Sequence, residues 1–402
     1  MERAERWKRI VYLCCAVQIG AGISLVGVMS FLPLFLSELG IHDSGDAAFW
    51  AGLITGVTPF MIALSSPFWS LQTAKRGVRT MMSFVLASVT VCILLSGITT
   101  APWQLLILRA IQGLVGGFVP IGLAAVSAVT PEEKTSWAMG CFQAAMVCGI
   151  MFGPLLGGLI ADYLGYRMPF FIFGGLSFCC LIAVRRVMPG MKGMMKKAEK
   201  KESAWAQILY FMRIPRVRIM TFLQFLCNFG ITGIGPILPL YIKQEIGGET
   251  EMVATVVGII IFMAGGFSAM SSLQVGKVTQ RFRIHRVLLF ATAFVGATFL
   301  LQYAASSVYG LGFWRAVTGI GMGLIAPCTN TILAKSVPPE KRTIIFGVVS
   351  SFFLMGNVAG PVCSGIIAGW FSYSAVFWTT AVTFWGAAVL IFLNFRNDRS
   401  GI

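Results

Sequence analysis

The sequence predicts an all-α membrane protein: twelve transmembrane helices forming two pseudo-symmetric bundles of six. Three observations carry this. The 402 residues are 57% hydrophobic and 11% charged, with a mean hydropathy of +0.82, whereas a soluble domain carries roughly 25% charged residues. Crossing a hydrocarbon core of about 30 Å takes about 20 helical residues, and apolar runs of that length recur between short charged or Gly/Pro-marked breaks. The second half of the chain also repeats features of the first at a constant offset.

The first run begins near Ile10, behind the basic stretch Arg6, Lys8 and Arg9, and continues past Pro33 without a small-residue cleavage site. That is longer than a signal-peptide core, so it is expected to be retained as helix 1. Runs near 47–69 and 80–99 follow, divided by Lys75, Arg76 and Arg79. The run near 103–129 contains Arg109, and those near 137–161 and 168–184 complete the first six. Residues 185–217 are basic and too polar to span; they read as a cytoplasmic linker whose Lys and Arg can also touch anionic lipid headgroups, at about 1 kcal/mol each near the surface. The second six fall near 218–242, 252–275, 287–305, 309–333, 343–370 and 373–394. The domains are therefore an N-terminal bundle at 1–184, the linker at 185–217 and a C-terminal bundle at 218–402.

A formal charge of +16 suggests nucleic acid only if the basic residues share one accessible face. Here they sort by loop instead. With the N-terminus taken as cytoplasmic, 27 of the 31 Lys and Arg fall on the cytoplasmic side; Arg167 and Lys243 remain outside, and Arg109 and Arg315 lie within helices. The positive-inside rule predicts this asymmetry for an even number of spans with both termini cytoplasmic. A multi-pass protein of a bacterial inner (cytoplasmic) membrane is expected, with no nucleic-acid partner. The ten cysteines sit in apolar runs without a CxxC pair, and His42 and His285 lie in loops on opposite sides. These residues read as buried small hydrophobes and isolated imidazoles, so no metal, cofactor or catalytic cluster is expected.

A shift of 206 residues superposes Arg109-Ala-Ile-Gln-Gly113 on Arg315-Ala-Val-Thr-Gly319, Pro33-Leu-Phe on Pro239-Leu-Tyr, and Gln18 on Gln224. One further residue of shift brings Pro131-Glu-Glu-Lys134 onto Pro338-Pro-Glu-Lys341 and Gly153-Pro154 onto Gly360-Pro361. Duplicated halves with an even span count mark a transporter with two parallel repeats and a midplane site between them.

These motifs resemble, nearly end to end, the major facilitator superfamily and within it the twelve-helix drug:proton antiporters. Arg109 to Gly113, followed by Gly116-Gly117, looks like that family's helix 4 motif, whose arginine is implicated in proton coupling. Gly149-Ile-Met-Phe-Gly153-Pro154-Leu-Leu-Gly157-Gly158 looks like the helix 5 antiporter motif. The family's gate loop between helices 2 and 3 carries an aspartate that pairs with basic residues across the cytoplasmic gate. In the aligned stretch Ser70 to Arg79 that position is Ala74, which leaves Lys75, Arg76, Gly77 and Arg79 to meet other groups, such as backbone carbonyls.

An intramembrane arginine costs about 2.5 to 3.5 kcal/mol even on lenient insertion scales and usually marks a substrate or ion path. Arg109 is accordingly the first proton-coupling candidate, against a structural reading in which it bonds carbonyls. No Asp or Glu falls in the middle of a span, so the coupling acids would be Glu38 and Asp162 at helix ends, with solvated loop acids as the alternative. Gly149, Gly153 and Gly157 make a stripe that permits close helix contact, and Pro154 removes a backbone bond and bends the helix. The resemblance implies that helices 1, 4, 7 and 10 line the cavity. Gln18, Gln112, Gln224, Asn228, Arg315 and Asn330 are its polar candidates, though each amide can bond its own helix instead.

The resulting expectation is a non-enzymatic secondary transporter, a monomer that exports hydrophobic or amphipathic small molecules in exchange for protons by alternating access. An exporter or facilitator of an anionic or neutral metabolite or lipid-linked species stands as the alternative, because two buried arginines without an embedded acid disfavour purely cationic substrates.

Overall fold

A computed structural model of the chain describes residues 2–116, 118–189, 209–246, 252–338 and 342–395, and among them it is helical throughout, without a strand. Helix α1 (Glu2–Val26) passes through a 3-10 turn (Gly27–Ser30) into a short helix (Leu32–Glu38). α2 is Ser44–Arg76 and α3 is Val78–Ser96. α4 comes in two pieces, Pro102–Leu114 and Phe118–Val129. α5 is Thr135–Leu164 and α6 is Met168–Val187. α7 is again divided, into Pro215–Gly233 and Leu238–Tyr241. α8 is Val253–Arg281, α9 Ile284–Tyr303, α10 Val308–Lys335, α11 Arg342–Trp370 and α12 Tyr373–Phe395.

Ten of the described helices are individually long and apolar enough to cross a membrane, and α7 with its continuation to Ile246 makes an eleventh, bent by 43°. The pieces of α4 have 13 and 12 residues. At 1.5 Å per residue each reaches only about 20 Å, so they span only together. This is the twelve-helix architecture that hydropathy predicts, with three runs broken where periodicity alone shows them continuous.

The breaks have local causes. Those in α1 and α7 fall at the same place in the repeat, just before Pro33 and around Pro236 and Pro239. A proline has no N–H to give the preceding turn, and it restricts the residue before it. The break in α4 follows Gly113 and includes Gly116, whose N–H turns back to the Gly113 carbonyl at 2.9 Å. A break leaves carbonyls without intrahelical donors, and α2 supplies them. Ser65 Oγ donates to Gly113 O at 3.3 Å and Trp69 Nε1 to Leu114 O at 2.6 Å.

The described residues pack into two compact units. Unit 1 falls within Met1–Ile41, Val57–Glu199 and Glu251–Ile259, and unit 2 within His42–Gly56, Lys200–Thr250 and Ile260–Ile402. Division at the linker would put the start of α2 in the first unit and the start of α8 in the second; packing puts each in the other. The reason is close backbone contact. A Cβ on Gly52 would meet Pro361 O at 2.3 Å, and one on Gly258 would meet Pro154 O at 2.5 Å. Most of the polar linker, 190–208, lies outside the described residues.

Each unit has its own aromatic centre: Phe31, Phe35, Phe142, Phe170 and Phe173 in unit 1, and Phe299, Phe377 and Phe384 in unit 2, all essentially fully buried. Lipid tails are as apolar as these rings, so helix association in a bilayer rests on fit and close approach more than on the hydrophobic effect.

Candidate functional site

Arg109 is the eighth residue of α4, about 10 Å along the helix from its start. Its side chain is buried, with a relative exposure of 7%. Nη1 donates to Gln112 Oε1 at 3.0 Å, one turn on, and to Leu25 O at 3.5 Å. The Leu25 carbonyl lies in the last turn of α1 and is released by the break at Gly27–Ser30. The broken end of α1 thus presents the negative pole of a helix to the guanidinium. α2 fixes α4 in place: Thr58 Oγ1 donates to the Arg109 carbonyl at 3.3 Å, and a Cβ on Gly113 would fall 2.4 Å from Thr58 O.

In unit 2 the same backbone packing recurs, since a Cβ on Gly319 would fall 2.2 Å from Ala264 O and Ser271 Oγ donates to Ile320 O at 2.6 Å. The side chains differ. Arg315 is also 7% exposed, yet its guanidinium lies over the Phe299 ring, 5.4 Å from the centroid, and Nη1 has no hydrogen-bond partner among the described residues. The residue at the Gln112 position is Thr318, whose hydroxyl is taken by Trp314 O at 2.7 Å, Thr298 Oγ1 at 2.9 Å and Gln302 Nε2 at 2.8 Å.

The other amides divide between the units. Among the described residues Gln18, buried in unit 1, has no partner for Oε1, and Gln112 none for Nε2. In unit 2, Gln224 Nε2 approaches Asn330 Oδ1 at 3.5 Å, and Asn228 bonds its own helix at the Gln224 carbonyl, 3.0 Å away.

The two acids are held by groups other than Arg109. Glu38 pairs with Arg167 at 3.4 Å, both side chains 38% exposed, and Arg167 also donates to the carbonyls of Gly97 (2.9 Å) and Thr99 (3.0 Å). Asp162 Oδ2 accepts from Thr255 N at 2.6 Å. Thr255 is in the first turn of α8, so Asp162, near the end of α5, caps an N–H that has no intrahelical acceptor. Tyr166 is within electrostatic reach of both. Its phenol is pushed above its ordinary value by burial and then by Asp162 and Glu38. The sequence misses this Glu38, Asp162, Tyr166 and Arg167 grouping because its members come from three helix ends.

The antiporter-motif glycines press α5 onto α1. A Cβ on Gly149 would come 3.0 Å from Gly22 Cα, one on Gly153 3.1 Å from Gly27 N, and one on Gly157 1.9 Å from Gly27 O. Gly158 serves the opposite face, where its Cβ would meet Ala254 O at 2.1 Å. α5 continues through Pro154 without a break. At the other end of the membrane helices, Gly77 joins α2 to α3 with φ +86°, a conformation that side chains avoid. Arg79 donates to the Arg185 carbonyl in the last turn of α6, and Arg76 is exposed. The side chains of Ala74 and Lys75 lie outside the described residues. Away from these groups, a cavity of about 550 Å³ in unit 2 is lined by apolar residues including Phe282, Phe290, Phe294 and Leu324, with Arg286 beside them.

Gln302 and Thr318, which hydrogen-bond each other between α9 and α10 one turn beyond Phe299 and Arg315, are not singled out by the sequence. Their only signal was a polar pair on adjacent apolar runs. Trp69 and Ser65, which hold the broken α4, gave no signal short of the fold.

Comparison with known proteins places this geometry. A family model described as Major Facilitator Superfamily matches residues 13–247 and 220–402. The chain is 33% identical over 381 residues to the multi-drug resistance efflux pump PmrA of Streptococcus pneumoniae, covering 94% of this chain and 93% of that protein. It is 30% identical over 383 residues to the multidrug resistance protein MdtG of Escherichia fergusonii, covering 94% and 92%. Among solved structures, a bacterial homolog of the human lysosomal transporter Spinster superposes with a TM-score of 0.81 at 14% identity, over 97% of each chain. The human organic anion transporter MFSD10 superposes with a TM-score of 0.65 at 17% identity, over 96% of this chain and 99% of that one. At those identities the two structures show a shared fold.

Proposed function

The chain belongs to the major facilitator superfamily, a family of transporters of small molecules, and from that premise we propose that it exports hydrophobic or amphipathic compounds in exchange for protons by alternating access. Its relatives PmrA and MdtG, similar over more than nine-tenths of the chain, are named as multidrug pumps, and this likeness carries the reading. The glycine stripe of α5 and the buried Arg109 on α4 support it. The charge distribution supports a bacterial cytoplasmic membrane with both termini inside.

Among the described residues Arg109 is held by neutral acceptors, Gln112 and the end of α1, so its positive charge is kept whole in a low-dielectric setting, where it acts at range on a passing proton or substrate. Of the two acids, Asp162 is the one we assign to coupling. Protonation would remove the negative charge that caps α8, a contact worth about 0.3 to 1 kcal/mol at a helix N-terminus, and so would loosen α5 from the start of α8. Glu38 remains a candidate through Arg167.

Inside-out vesicles carrying the protein test this. Given an acid interior, they should accumulate N-phenyl-1-naphthylamine, and collapsing the gradient should release it. Uptake indifferent to the gradient would remove the antiport claim. Arg109→Ala should abolish transport with the protein still in the membrane.

A second reading has its own support: no carboxylate hydrogen-bonds or pairs with either buried arginine among the described residues. That balance favours substrates carrying an anionic group over purely cationic ones.

A further inference from the structure

We propose that Arg315 is a binding site for the anionic group of an amphipathic ligand, a sulfonate or carboxylate, built within unit 2 on the facing surfaces of α9 and α10. This rests on the export reading only for its consequence in transport; the binding stands or falls separately.

The repeat makes two guanidinium groups equivalent, yet their partners differ. Arg109 has a side-chain acceptor one turn along, Gln112, and the carbonyl of a broken helix end. Arg315 has neither. α7 is broken at the same repeat position as α1, yet among the described residues Arg315 makes no hydrogen bond to it. Thr318 replaces the glutamine, and its hydroxyl is already used by Gln302, Thr298 and Trp314. What remains is the face of Phe299, which is itself stacked on Phe384 at 5.7 Å.

A guanidinium offers five N–H donors and is costly to place within a bilayer. A cation over an aromatic ring recovers part of that cost, but the ring supplies no acceptor in the guanidinium plane. The edge of Arg315 is therefore open to a planar pair of oxygens, the geometry in which arginine binds carboxylate and its analogues through two parallel hydrogen bonds. Gln302 adds a second unfilled position: Oε1 is buried without a partner on α9, one turn from Phe299. Buried polar atoms are nearly always paired, and Arg315 Nη1 and Gln302 Oε1, on adjacent helices, are a donor and an acceptor left without a partner among the described residues. A ring-bearing anion would supply Arg315 with the acceptor it lacks and lay its apolar body beside Phe299, whose ring already faces the guanidinium.

The test uses purified full-length protein and a matched pair of probes, 1-naphthalenesulfonate and the neutral 1-naphthalenemethanol. The sulfonate should raise the thermal unfolding temperature in a saturable manner and the alcohol should not. Arg315→Gln should weaken the sulfonate response at least tenfold, and Arg315→Lys, which keeps the charge without the planar fork, should weaken it less. Thr318→Gln provides the arm that leaves the arginine in place. It installs the acceptor that Arg109 enjoys, and competition from that amide should also weaken sulfonate binding. Equal responses to sulfonate and alcohol, or a sulfonate response unchanged in Arg315→Gln, would overturn the proposal, the latter being what a guanidinium paired simply with Gln302 predicts. Transport separates the two readings. In vesicles, 1-anilinonaphthalene-8-sulfonate and N-phenyl-1-naphthylamine share a scaffold, and Arg315→Gln should abolish any preference for the sulfonate. Sulfonate binding without transport of either dye would leave the site standing and end the export reading; gradient-driven transport of the neutral dye without Arg315-dependent binding would do the reverse.

Discussion

Arg109 differs from its repeat partner in part through a neutral side chain. Gln112 gives the guanidinium a side-chain acceptor at 3.0 Å, and hydrogen bonds to charged groups contribute roughly 1.5 to 3 kcal/mol. Gln112→Leu should therefore lower gradient-driven dye transport by about 10- to 100-fold at equal membrane abundance, read in inside-out vesicles against an immunoblot; wild-type rates would show that Gln112 is idle. Asp162 allows a cleaner separation of roles because it caps α8 through Thr255 N at 2.6 Å. Asparagine keeps the acceptor and discards the titrating charge, while alanine discards both, at a capping cost of about 0.5 to 2 kcal/mol. We expect Asp162→Ala to lower the melting temperature in detergent and Asp162→Asn to lower it less while uncoupling transport from the pH gradient. An asparagine variant that still follows the gradient would confine Asp162 to capping.

Helices here are positioned by where backbones touch, and glycine marks those places on both halves. Gly153 and Gly157 bring α5 against Gly27, and Gly360 and Ser364 bring α11 against Gly233 in the same geometry. At Gly157 a Cβ would sit 1.9 Å from the Gly27 carbonyl oxygen, a backbone atom that cannot swing aside, whereas at Gly140 on the same helix a Cβ meets nothing within 4 Å. Overpacking of this kind costs about 1 to 3 kcal/mol, and an open helical glycine gains about 0.5 to 1 kcal/mol on becoming alanine. Gly157→Ala should thus lower the melting temperature by several degrees and impair transport, and Gly140→Ala should hold or raise it. If the two variants melted alike, the close approach of α5 and α1 would be the wrong account of the motif.

At the scale of the whole molecule, the charge pattern makes a topological claim that labelling can check. Reporters fused at either terminus should read as cytoplasmic, His42→Cys should react with an impermeant maleimide from outside intact cells, and Lys277→Cys should react only after permeabilisation; His42 and Lys277 labelled from the same side would refute the assignment. The helices themselves were legible because a bilayer leaves a backbone few options: a run of about 20 apolar residues must satisfy its N–H and C=O groups internally, so span number and the duplicated halves were written locally in composition and spacing. Arg109 and Arg315 were visible for the same reason, as charges inside apolar runs. What surrounds them was not. That the Leu25 carbonyl serves Arg109 while the Phe299 ring faces Arg315, that Asp162 reaches the start of α8, and that α2 repairs the break in α4 all depend on which helix face meets which neighbour. The sequence by itself determined the twelve helices, their repeat and the buried charges; the tertiary structure alone decided their partners, because a hydrogen bond between residues a hundred positions apart is specified by packing across helices and leaves no mark in either segment.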